Sequence, residues 1–128
     1  MKAVRIAVAA LFTLAAMQAA AADIDNARLA YAKGDYALAH DQLLAAARQG
    51  NGEAQELLGM MHMVGPEVFP GVPQDLTQSA LLLQRAARGG RPVARAMYCA
   101  LVRRGTLHVA GNAHCFEDPA LAGMDDPR

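Results

Sequence analysis

From Asp25 onward, apolar and small residues recur three and four positions apart, and each run stops at a glycine. Such spacing lays an apolar stripe along one side of a helix. The first stretch, Asp25 to Lys33, carries Leu29 among Ala27, Ala30 and Ala32 and ends at Gly34. Asp35 is placed to cap a second helix, because its carboxylate can accept an orphan backbone N–H. That helix bears Ala39, Leu43, Ala46 and Ala47 on one stripe. Gly50-Asn51-Gly52 reads as a turn, and a third helix follows from about Glu53 to Met63. The segment Gly65 to Pro73 holds Pro66, Pro70 and Pro73 and cannot be helical. Asp75 caps a fourth helix, Leu76 to Arg88, which Gly89-Gly90 ends. Pro92 suits the first turn of a fifth helix, which ends near Arg104-Gly105. No segment alternates as a strand does, and residues 106–128 show no period. The pattern predicts an all-α domain of helix hairpins, since short connections force antiparallel neighbours.

The chain also lies over itself at an offset of 40 residues. Asp35 falls on Asp75, Ala46-Ala47-Arg48 on Ala86-Ala87-Arg88, Gly50 on Gly90, Ala54 on Ala94 and Gly65 on Gly105. A period of this size marks a repeat architecture, in which each unit buries its apolar face only against a neighbour. Gly59, inside the third helix, corresponds to Cys99. A mid-helix glycine costs about 1 kcal/mol relative to alanine, which a close approach of the adjacent helix would explain.

Three runs carry a resemblance. They are Ala54-x-x-Leu57-Leu58-Gly59-x-Met61-His62-x-x-Gly65, then Gly71-Val72-Pro73-Gln74-Asp75, then Ala86-Ala87-x-Gly89-Gly90 with Ala94. Together they resemble the Sel-one-like repeat, a relative of the tetratricopeptide repeat. Ala30-Tyr31-x-x-Gly34-Asp35-Tyr36-x-x-Ala39 is more similar to the tetratricopeptide form. Two departures stand out. His62 takes the place of an aromatic, and Pro66 to Phe69 lengthens the loop before Gly-Val-Pro. The resemblance spans about residues 25–105. It implies an α/α solenoid of antiparallel helix hairpins, with about five helices in about two to two and a half repeats. It also implies a concave binding face and a role as adaptor or scaffold for another protein or peptide. No catalytic residue and no cofactor follows from it.

The N-terminus reads as a signal peptide over residues 1–22. Lys2 and Arg5 precede an apolar run from Ile6 to Ala16, and Ala20 and Ala22 supply small residues for cleavage before Asp23. The expected organisation is then a repeat domain over 23–105 and a tail or cap over 106–128, in a periplasmic or secreted protein. Loss of Lys2 and Arg5 takes the basic residues from 12 to 10 against 12 acidic ones, a net charge of −2. That balance argues against a nucleic-acid partner, and no second apolar span is present. With no Trp, the core must come from Ala, Leu and Met.

The two cysteines, Cys99 in the fifth helix and Cys115 in the tail, fit a disulfide in an exported chain. Such a bridge would pin the tail, with Leu107, Val109 and Phe116, over the last helix. Two buried free thiols are the alternative.

Candidate metal chemistry has two sources. His108, His114 and Cys115 lie close together but match no zinc spacing. Met60-Met61-His62-Met63 contains soft ligands of the kind that hold copper(I), although Met60 and Met63 share a helix face that His62 leaves. An exported copper-handling protein is therefore the second reading, and core methionines are the simpler account. A cell-wall enzyme ranks below both. Ser79 is the only serine, and no phosphate loop or dinucleotide motif is present.

Charge and exposure give the candidate partner-binding residues. Arg85, Arg88, Arg91, Arg95, Arg103 and Arg104 occur without an intervening acid. They form either solvated helix faces or a patch for an acidic segment, since Arg presents a planar fork to carboxylates. If the first helix of each hairpin lines the concave side, the surface draws on Arg28, Gln55, Glu56, Met63 and Arg95. Phe69 in the long loop is then an anchor at its rim, or else a plug between the third and fourth helices.

Overall fold

The computed structural model of the protein describes residues 24–105 and Cys115. Five helices and no strand occur among these residues: α1 (24–32), α2 (Tyr36–Arg48), α3 (Gly52–Val64), α4 (Leu76–Arg88) and α5 (Pro92–Arg103). Each boundary has a local cause. Asp35 and Asp75 cap α2 and α4, accepting from the backbone N–H of Leu38 and Gln78 at 3.2 and 2.9 Å. Asn51, read from sequence as part of a turn, caps α3 by accepting from Ala54 N at 2.9 Å. The helix accordingly starts one residue earlier than expected.

The turns at Gly50 and Gly90 have the same construction. Gly50 (φ 88°) lets Asn51 N donate back to Ala46 O at 3.1 Å, and Gly90 (φ 90°) lets Arg91 N do the same to Ala86 O. A residue with a β-carbon is strained at such a φ. The 40-residue offset reaches the core as well. Ala39, Leu43, Ala46, Ala54, Leu58, Gly59, Met61 and His62 are buried, and so are Ser79, Leu83, Ala86, Ala94, Tyr98, Cys99, Leu101 and Val102.

α2 packs on α3, α3 on α4 and α4 on α5, and α3 also reaches α5. Two apolar clusters result. One joins Ile24 and Ala27 of α1 to Leu43, Leu58, Met61, Phe69, Val72 and Leu82. The other joins Leu83, Ala94, Tyr98, Cys99 and Leu101 to Cys115. Leu29 of α1 stays exposed. The close approach expected at Gly59 is present. A β-carbon there would lie 2.8 Å from Leu83 Cγ and 3.3 Å from the Ser79 carbonyl oxygen on α4. Ser79, fully buried, donates its hydroxyl to Gly59 O at 2.7 Å.

The long loop turns inward. Val72 is fully buried and Phe69 is 5% exposed. Phe69 is therefore not an exposed anchor, and it shares the first apolar cluster with Leu58 and Met61 of α3 and Leu82 of α4. Its ring packs on Tyr31 and Tyr36, with centroids 5.9 and 5.2 Å away. Cys99 and Cys115 form a disulfide with Cα atoms 5.3 Å apart, so the tail is fastened to α5 at that point. Leu107, Val109 and Phe116 lie outside the described residues, as do the signal segment and its cleavage site. Among the described residues, no helix is long and apolar enough to cross a membrane.

Candidate functional site

The face built from α1, α3 and α5 pairs its charges internally. Arg28 donates to Asp25 at 2.8 Å and forks onto both oxygens of Glu53. Glu56 accepts from Arg91 Nη2 at 2.7 Å and from the backbone N–H of Ala94 at 2.9 Å. These bonds hold both carboxyls below the usual glutamate range. The cause is chiefly the hydrogen bond from Arg28 for Glu53 and from Arg91 for Glu56.

The residues expected to form a binding face are therefore dispersed. Arg28 is exposed but engaged, and Glu56 is half-buried and serves α5. Gln55 corrects the expectation of exposure, and Phe69 is buried rather than an exposed anchor. Gln55 is buried and donates to Ala47 O at 3.2 Å, because its position on α3 faces α2. Phe69 is buried because apolar ring surface is available at Tyr31 and Tyr36. Met63 is half-buried against the second apolar cluster. Arg95 is exposed and borders a small recess with Gln84, Arg88 and Tyr98. Met61 lies in the core, and Met60 packs against it. His108 and His114 lie outside the described residues.

A cleft of about 400 Å³ opens on another side, between α2 and α4 with α3 beneath. Leu44, Leu58 and Leu82 give it an apolar lining, and Arg48, Arg85 and Gln78 give it polar groups. Among the described residues, neither the Arg48 nor the Arg85 guanidinium has a hydrogen-bond or ion-pair partner. Arg85 was legible as part of the arginine run. Arg48 was not, because only packing brings the last turn of α2 to the same opening as the last turn of α4.

Two imidazoles also border this cleft. His40 of α2 and His62 of α3 place their Nε2 atoms 3.4 Å apart, with the rings nearly perpendicular. His62 Nδ1 lies 3.0 Å from Pro73 O, and His40 Nδ1 lies 3.3 Å from Asp41 Oδ1. Sequence reading grouped His62 with its methionine neighbours. The relevant companion stands 22 residues earlier, on another helix.

No protein-family model matches this chain, and neither does any curated protein or solved structure.

Proposed function

We propose that this chain is an exported α/α-repeat protein that binds a carboxylate-bearing segment of another protein, as an adaptor or scaffold. The observation that carries this reading is the cleft between α2 and α4. Its apolar lining suits side chains of an extended or helical segment, and the guanidinium groups of Arg48 and Arg85 border it without a partner among the described residues. A guanidinium fork matches a carboxylate at two points. Recurrence of caps, turns and buried positions at 40 residues supports an arrangement of antiparallel hairpins in a short solenoid. A disulfide supports an oxidising compartment, which the signal-like N-terminus anticipates.

The binding side differs from the sequence expectation. The α1–α3–α5 face uses Arg28, Glu53, Glu56 and Arg91 to tie helices together. The α2–α4 cleft leaves Arg48 and Arg85 unpaired among the described residues.

The test is fluorescence anisotropy with a library of acidic and amidated peptides, using the processed, oxidised protein. Binding is expected for peptides with free carboxylates. It should weaken with salt and be lost in Arg48→Glu and Arg85→Glu variants of unchanged melting temperature. Equal binding by both variants excludes the cleft. Mass spectrometry of the exported chain should find Asp23 as its first residue, and an intact N-terminus excludes the export reading.

A further inference from the structure

The His40–His62 contact poses a problem of protons. Pro73 O is a carbonyl oxygen and can only accept, so the hydrogen bond at 3.0 Å requires a proton on His62 Nδ1. An ionised Asp41 can likewise only accept, so its contact at 3.3 Å forms in the tautomer with a proton on His40 Nδ1. In neutral rings, both Nε2 atoms then carry lone pairs, and these face each other at 3.4 Å. A metal ion or a shared proton between the two nitrogens would complete such an arrangement.

We infer that His40 and His62 form a two-imidazole site for a borderline divalent metal ion such as zinc or copper(II). Three observations converge. Two metal–nitrogen bonds of about 2.0–2.1 Å at a tetrahedral angle put the nitrogens about 3.3–3.4 Å apart, the separation present here. Each ring offers its outer nitrogen to an oxygen acceptor, one a backbone carbonyl and one a carboxylate. This is the outer-shell pattern that orients metal-binding histidines. Both rings border an open cleft, so an ion can reach them. The donors are nitrogens of intermediate softness, which distinguishes this site from a copper(I) site built on Met60 and Met63.

Among the described residues, no third His, Cys, Asp or Glu completes a ligand cluster. The remaining coordination positions therefore face the cleft. Arg48 and Arg85 border the same space. Their charge opposes a bare cation and favours one that carries an anionic ligand such as a carboxylate. Metal capture by the two histidines is tested without any partner, so it stands or falls separately from peptide binding.

The experiment is zinc titration of the oxidised, processed chain by calorimetry, in a buffer containing acetate as a carboxylate source. One zinc per chain is expected, with the Nε2 signals of two histidines shifted in nitrogen-15 spectra. His40→Gln and His62→Asn should each lower zinc affinity by more than the roughly 10-fold to 100-fold cost of losing an outer-shell partner. Circular dichroism in chelator checks that each variant folds. His40 is the more exposed ring, so His40→Gln decides the matter if His62→Asn does not fold. His108→Ala with His114→Ala should bind zinc as the parent does. No saturable uptake, uptake unaltered by His40→Gln, or uptake lost in the tail variant would each overturn the site. The pair would then share only a proton.

Discussion

Glu56 on α3 accepts a hydrogen bond from the backbone N–H of Ala94, 2.9 Å away in the first turn of α5. α5 lacks a capping side chain of its own, because Arg91 holds the N-cap position and offers no acceptor. The other oxygen of Glu56 binds that same Arg91 at 2.7 Å. A carboxylate 38 residues away thus does for α5 what Asp35, Asn51 and Asp75 do locally for α2, α3 and α4.

Removing this cap should cost what a local cap costs. Glu56→Ala is expected to lower stability by about 1–2 kcal/mol, and Glu56→Gln by less, because the amide oxygen can still accept. Urea denaturation measures the loss, and amide exchange should speed up most at the start of α5. Unchanged exchange there would contradict the capping role.

Acid should act through the same carboxylates. Glu53 and Glu56 both sit below the ordinary glutamate range when folded, held by Arg28 and Arg91. A depressed folded value contributes stability above the unfolded pKa and loses it as pH falls through the folded one. The melting temperature should therefore change little on this account between neutrality and about pH 5.5, then drop below about pH 4. A Glu53→Gln/Glu56→Gln double variant should show a shallower drop in a thermal-melt series across pH.

Gly59 should resist even the smallest substitution. The gain in helix propensity from alanine is about 1 kcal/mol. Contact at 2.8 Å with Leu83 Cγ and 3.3 Å with Ser79 O outweighs that gain. Gly59→Ala is expected to destabilise by about 1–2 kcal/mol net, and Gly59→Leu by more. In a double-mutant cycle with Leu83→Ala, the pair should lose at least about 0.5 kcal/mol less than the sum of the single losses. Strict additivity would mean that the two residues do not press on each other.

Phe69 should behave as a packing residue. Phe69→Ala removes a buried ring from Tyr31 and Tyr36 and is expected to cost about 3 kcal/mol in stability. Tyrosine fluorescence should report the change at the α1–α2 junction. An unaltered denaturation midpoint would remove the structural role of the loop.

The disulfide fastens part of the tail to the second apolar cluster, where Cys115 is 4% exposed. Thiol counting on oxidised protein should find none before reductant is added, in native or denaturing buffer. Cys115→Ser is expected to lower stability by about 2–4 kcal/mol. A free thiol in protein from an oxidising compartment would contradict the bridge.

Local chemistry along the chain was enough to locate the helices. Capping carboxylates at Asp35 and Asp75, turns at Gly50 and Gly90 and the break at Pro66 act over a few residues, so their effects are readable in order. The 40-residue offset likewise anticipated which positions share a role in the core. The sequence is silent on contacts between residues that belong to different helices. Periodicity fixes how side chains rotate about their own helix axis, and says nothing of which neighbouring axis they meet. Gln55 faces α2 rather than solvent, Phe69 meets the rings of Tyr31 and Tyr36, and Glu56 accepts from the first turn of α5. His40 and His62 meet only because α2 packs on α3 at one rotation and height. Those contacts are set by how helices of small residues close upon one another, a property of the packed whole that no window of the chain contains.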